Sequence, residues 1–275
     1  MGGHHHNHDH IHWSLEPWIA GRMLAVAVVY AAGFFRLRRN ARSHAIREVA
    51  LFYAGLGLLA LAVLSPLHSL GTVLLTAHMI EHEIMMVAAA PLLVASRPAA
   101  TLMFGLPKPV RMALAWLLRL RPVRLSWRAA TDLASATMLH AAALWVWHVP
   151  DLFEAAGTNE AVHTLQHAIF LGSALLFWSA VMDRIHRRYG QGYAALALFF
   201  MSLQAGALGA LLTLSPRIWY ELPPGALELA GLSPLEDQVL AGLIMWVPAC
   251  SLYVAAALGV VARWLSTFEA QPARQ

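Results

Sequence analysis

Stretches of apolar sequence, each about 20 residues long, recur along this chain and limit its folds more sharply than any other feature. Inside a bilayer, every backbone N–H and C=O must be satisfied within the segment, so such stretches fold as helices. At 1.5 Å per residue, about 20 residues cross a hydrocarbon core about 30 Å thick. Seven stretches read as spans: 18–35, 49–64, 70–94, 130–147, 162–182, 193–214 and 239–264. The second is short unless Ile46 and Leu67 extend it, and the fourth carries Asp132 and His140. Charge content agrees. Only 12% of the 275 residues are charged, against about 25% in a soluble domain. The expected fold is all-α: one polytopic bundle of seven transmembrane helices, without internal repeats.

The net charge of +4 does not point to nucleic acid, because topology accounts for the basic residues. Arg36, Arg38, Arg39, Arg42 and Arg47 follow the first span. Arg97, Lys108, Arg111, Arg119, Arg121, Arg124 and Arg128 follow the third. Arg184, Arg187 and Arg188 follow the fifth, and Arg263 and Arg274 end the chain. Only Arg22 and Arg217 lie elsewhere. Positive charge stays in the cytoplasm, so the N-terminus is expected outside and the C-terminus inside, in the inner membrane of a bacterium. The loops on the other side are acidic, with Asp151, Glu154 and Glu160, then Glu221, Glu228, Glu236 and Asp237. The amphipathic stretch 111–119 is expected to lie on the cytoplasmic membrane surface. This gives three parts: a His-rich periplasmic tail at 1–16, a membrane domain at 17–266 and a cytoplasmic tail at 267–275. The polar N-terminus has no basic n-region, so the first helix is expected to direct insertion. The single Cys250 excludes a disulfide within the chain and any Cys-x-x-Cys motif.

Ionisable residues inside a span are costly and mark a partner, cavity or function. The third span carries His78, Glu81, His82 and Glu83, followed by Met85 and Met86. His78 and His82 are i and i+4 and share a helical face. The fifth span repeats the pattern with His163 and His167, and the fourth contributes His140 and ends at His148. Counting inward from the outer ends at 1.5 Å per residue puts His78 and His82 about 12–18 Å deep, His163 and His167 about 5–11 Å and His140 about 12 Å. The seventh span begins outside with Asp237. These residues therefore share the outer half of the membrane, where packing can gather them into one periplasm-facing metal site. Imidazole suits copper, zinc and iron, and thioether favours Cu(I). The expected ligands are His78, His82, His163 and His167, with His148, His140, Asp237 and Glu81 in or beside the shell. Asp237 could instead cap the last helix. Glu81 could instead orient a histidine or carry a proton. A second metal signal is the tract His4-His5-His6-Asn7-His8-Asp9-His10-Ile11-His12, suited to capturing a metal ion outside the membrane.

Several blocks at these positions resemble the integral-membrane CtaG family of cytochrome c oxidase assembly factors. They are His78-Met79-x-x-His82 with Ala90-Pro91-Leu92-Leu93, Trp145-x-x-His148-x-Pro150, Leu165-Gln166-His167-x-x-Phe170 with Trp178, and Asp237-Gln238 with Gly242 and Met245-Trp246. They cover roughly residues 65–258. Glu81 and Glu83 stand outside the pattern. The resemblance implies a non-enzymatic part in maturing a haem–copper oxidase by handling copper, with oxidase subunits and periplasmic copper carriers as partners within the lipid bilayer. Two other readings fit the residues: a zinc-dependent intramembrane hydrolase with Glu81 or Asp237 as base, and a haem b carrier with room beside Ala88–Ala90, Gly206 and Gly209.

Overall fold

A computed structural model describes residues 17–39, 46–187, 190–220 and 231–269. The N-terminal histidine tract, Arg42, Arg188, Arg274, Glu221 and Glu228 lie outside the described residues. Twelve helices, and no strand, occur among the described residues, so the chain is all-α. They are α1 (Pro17–Arg39), α2 (Ile46–Leu64), α3 (Pro66–Gly71), α4 (Leu75–Ala95), α5 (Pro98–Gly105), α6 (Lys108–Arg119), α7 (Arg121–Ala130), α8 (Leu133–Trp147), α9 (Pro150–Thr158), α10 (Glu160–Ile185), α11 (Gln191–Leu214) and α12 (Pro234–Ser266).

Six of these, α1, α2, α4, α10, α11 and α12, are long and apolar enough to cross a membrane. The chain is a multi-pass membrane protein. Large apolar side chains such as Leu24, Phe35, Leu196, Leu203 and Leu258 remain exposed on these helices, as lipid-facing residues should. Ile46 does extend the second span to 19 residues, but Leu67 does not, because Ser65 and Pro66 begin a new helix. The Ser65 hydroxyl accepts from the Leu67 amide, a helix N-cap. The stretch expected at 130–147 forms α8, only 15 residues long, or about 22 Å. Asp132 lies outside it: its carboxylate caps α8 at the Ala134 amide and pairs with Arg184 at 3.1 Å.

Two transmembrane helices widen into π turns, α4 over Ile84–Ala89 and α12 over Met245–Ala249. Each comes just before or around a proline (Pro91, Pro248) that removes a backbone donor. Side chains satisfy the loosened backbone. The Trp178 indole donates to the Met86 carbonyl at 3.0 Å, and the Ser251 hydroxyl to the Val247 carbonyl at 2.6 Å. Such turns concentrate near functional sites, and the one in α4 immediately follows the histidines.

Small residues set the helix spacing. A Cβ on Gly209 would lie 2.8 Å from the Gly242 carbonyl oxygen, so α11 and α12 touch backbone to backbone. A Cβ on Gly33 would lie 1.8 Å from the Thr101 carbonyl oxygen, which fixes α5 against α1. Arg36 then reaches the carbonyls of Phe104, Gly105 and Leu106 at the end of α5, at 2.8–3.1 Å. Helices α6 and α7 carry Arg111, Arg119, Arg121, Arg124 and Arg128 and bury no residue.

Candidate metal centre

Helices α4 and α10 face each other across their histidine pairs. The His78 and His82 rings lie 4.2 Å apart by centroid, and the His163 and His167 rings 4.3 Å. Between helices, His78 is 5.9 Å from His163 and His82 is 5.1 Å from His167. Four imidazoles from two i, i+4 pairs thus form one patch.

A fifth joins them from α3. The His68 ring stacks on His163 at 5.2 Å and lies 5.7 Å from His167. The ligand atoms of His68, His163 and His167 all fall within 4.8 Å of one another. Sequence reasoning missed His68 because it falls between the expected spans 49–64 and 70–94. The Ser65-Pro66 capping signal was the available clue. Gly71 lets α3 close onto α4, since a Cβ there would lie 3.2 Å from Glu81 Oε2 and 3.3 Å from the His78 Cα. That approach brings His68 Nδ1 to Glu81 Oε1 at 2.7 Å, with His167 Nε2 at 3.6 Å from the same oxygen. Glu81 is fully buried. Its carboxylate fixes the orientation of the His68 imidazole.

The rim is built from α8, α9 and the segment after α11. His148, just past α8, donates Nδ1–H to the Leu144 carbonyl at 2.7 Å. Burial pushes its imidazole down to about 4, so it is neutral at physiological pH. Phe153 of α9 packs 5.0 Å from the His78 ring and 4.1 Å from Tyr220. The Tyr220 hydroxyl, held protonated by burial, donates to the His148 carbonyl at 2.8 Å.

Unmet bonding capacity is concentrated in this patch. His78 Nε2, both nitrogens of His82, Nε2 of His148, His163 and His167, and Glu81 Oε2 are buried without a hydrogen-bond partner. A buried polar atom left this way costs about 1–3 kcal/mol. Several together rival the net stability of a whole domain, about 5–15 kcal/mol. Convergent imidazole lone pairs are what a transition-metal ion requires, and a bound ion would remove the penalty. The donor set therefore fits a metal.

A model of the family described as cytochrome c oxidase caa3 assembly factor (Caa3_CtaG) matches residues 28–267. This chain belongs to that family. It is also 26% identical over 248 residues to an uncharacterized protein of Mycobacterium bovis and to one of Mycobacterium tuberculosis, covering 85% of this chain and 36% of theirs. The chain thus spans about a third of the length of these curated relatives. No solved structure matches it at a significant level.

The blocks that suggested the oxidase assembly family divide into two groups in space. His78, His82, His148 and His167 gather in the patch. Asp237 and Gln238 build its frame. Both Asp237 carboxylate oxygens accept backbone amides, from Leu75 at 2.7 Å and Thr76 at 3.0 Å. Asp237 therefore caps α4, one turn before His78, rather than its own helix. Its own helix is capped by Ser233, in a capping box with Glu236. Gln238 accepts from the Trp219 amide and donates to the Leu212 and Arg217 carbonyls, which fixes the segment leading to Tyr220. His140 also stands apart. Its Nδ1 meets Ser173 at 3.0 Å and its Nε2 meets the Tyr253 hydroxyl at 3.3 Å, so both nitrogens are engaged. The room foreseen for haem is filled as well. Gly206 packs on Cys250 and Trp246, and Gly209 on Gly242.

One side of the patch opens laterally. His68, His163, His167 and Met85 border a cavity of about 210 Å³ that reaches Trp18 and Arg22 on α1. The Arg22 guanidinium lies 4.7 Å over the Trp18 ring.

Proposed function

We propose that this chain binds a copper ion at His68, His78, His82, His163 and His167, with His148 at the rim, and hands it to a haem–copper oxidase subunit during assembly. The observation that carries the reading is the convergence of buried imidazole nitrogens without partners. Membership of an oxidase assembly family supplies the direction: such an oxidase needs copper inserted. Copper is favoured because Met85 borders the histidine cavity, adding a soft donor to imidazoles. The ion is cargo here, so ligation by neutral side chains that can exchange it suits the task.

The same reading sets topology. Arg47, Arg97 and Arg263, with Glu48 and Asp183, border one cavity at one end of the bundle, while Glu160 and the single Arg22 border the histidine cavity at the other. By the positive-inside rule the arginine end is cytoplasmic and the histidine end periplasmic. With α8 as a short seventh span, the N-terminus lies outside and the C-terminus inside, in a bacterial inner membrane. Copper then arrives from periplasmic carriers.

One observation favours a second reading. Glu81 Oε2 lacks a partner, which suits a general base beside a zinc-bound water in a hydrolase. A single experiment separates them. A host lacking its own assembly factor is complemented with the wild-type chain or with His78→Ala/His82→Ala, and copper is measured in the purified oxidase. The copper reading expects full loading with the wild type and copper-poor oxidase with the variant. Equal loading with both would overturn it. Zinc in the purified wild-type chain would then favour the hydrolase.

A further inference from the structure

At the end of the bundle opposite the histidines, three arginines from distant parts of the chain share one cavity of about 780 Å³. Arg47 begins α2, Arg97 follows α4 and Arg263 lies near the end of α12. This size is within the range of small-molecule sites, about 300–1,000 Å³. Arg97 is held there by an unusual backbone. Its φ of 49° makes it the one non-glycine residue with positive φ among the described residues, a conformation L-residues rarely adopt. Its guanidinium donates to His186 Nε2 at 3.1 Å. Glu48 and Asp183 also line the cavity; Arg187 takes up Asp183 at 2.7 Å, and the three arginines outnumber the remaining carboxylate, Glu48. Among the described residues, no carboxylate pairs with Arg47, Arg97 or Arg263. The cavity is therefore suited to an anion.

This cavity does not end in protein. Val94, Arg97 and Ser179 also border a second cavity, of about 640 Å³, that runs between α1, α2 and α10. Its walls are mostly hydrocarbon, including Phe52, Leu56, Leu93, Leu102 and Leu175, with Arg22 at the end near the histidines. It continues to Met23 and Leu59, which also border the histidine cavity. An anion-binding head that leads directly into a long apolar groove matches one class of molecule, an anionic amphiphile. Basic pockets between transmembrane helices on the cytoplasmic side are where acidic lipid headgroups bind.

We infer that the chain binds an anionic phospholipid here, its phosphate among Arg47, Arg97 and Arg263 and its acyl chains in the groove between α1, α2 and α10. The lipid fills the gap behind α1, a helix otherwise fixed to the bundle largely through α5. Its chain ends reach the side of the histidine site that faces the bilayer.

The test is native mass spectrometry and thermal melting of the full chain in detergent, with phosphatidylglycerol, phosphatidylcholine or inorganic phosphate added. Phosphatidylglycerol should remain bound and raise the melting temperature, with phosphatidylcholine at least about tenfold weaker. Each of Arg47→Gln, Arg97→Gln and Arg263→Gln should weaken phosphatidylglycerol about fivefold. Leu175→Trp, which fills the groove and leaves the arginines in place, should also displace the lipid. Should a variant of Arg97 fail to fold, Arg263→Gln on the exposed end of α12 gives the same reading. Equal binding of the two lipids, an equal shift from inorganic phosphate alone, or arginine variants that keep the preference would each overturn the inference. A copurifying transmembrane protein in place of lipid would overturn it too.

Discussion

Two groups of buried histidine lie within the same bundle and have opposite bonding. His140 is fully buried, and its two nitrogens meet Ser173 on α10 and Tyr253 on α12. In the outer group His78, His82 and His148 are buried and His163 and His167 half-buried, yet all five leave buried nitrogen atoms without partners. Burial alone therefore does not mark function here. A histidine that joins helices uses both nitrogens on protein. The outer histidines keep ring nitrogens without partners, at a cost in stability that a ligand would relieve. The same contrast separates two carboxylates: Asp237 spends both oxygens on backbone amides, whereas Glu81 keeps one without a partner.

The comparison breaks most directly at the outer group. His78→Ala/His82→Ala should abolish metal binding, measured as metal per chain, and should raise the melting temperature of the metal-free protein by removing orphaned polar atoms. Glu81→Gln should come next. It keeps the shape but weakens the acceptor that orients His68, and such supporting partners are worth about 10–100-fold in metal affinity. A competition titration reads this. Asp237→Ala should act on stability rather than on the metal. Losing a helix cap costs about 0.5–2 kcal/mol, visible as a lower melting temperature with metal stoichiometry kept. The smallest effect on metal is expected from His140→Gln. It should cost about 1 kcal/mol for its hydrogen bonds and leave metal affinity unchanged. If instead His140→Gln lost the metal and His82→Ala did not, the contrast would be reversed.

Much of this site was legible in the sequence because helical geometry is local. The spacings of His78 with His82 and of His163 with His167 place each pair on one face whatever the tertiary structure. Counting from the span ends puts both pairs in the same half of the bundle. What was not legible depends on contacts between distant segments. His140 and His148 gave the same local signal, and only Ser173 and Tyr253 reveal that His140 is a joint. Asp237 reads as a cap, but the helix it caps begins 162 residues earlier. His68 was hidden because a short helix, α3, lies between two spans and folds back over α4, so close at Gly71 that a Cβ would crowd Glu81 and His78. Six spans follow from apolar length, whereas α8 is shortened because Asp132 caps it from outside.

The central claim is that the outer histidines hold a metal and His140 does not. The most direct test loads detergent-purified protein lacking residues 2–12 with copper or zinc, removes weakly held ions by dialysis, and counts metal per chain by mass spectrometry. The wild type, His78→Ala/His82→Ala and His140→Gln are compared. The account predicts one bound ion per chain, copper in preference to zinc, in the wild type and in His140→Gln, and none in the double variant. No metal in the wild type after loading, or equal metal in all three, would contradict it.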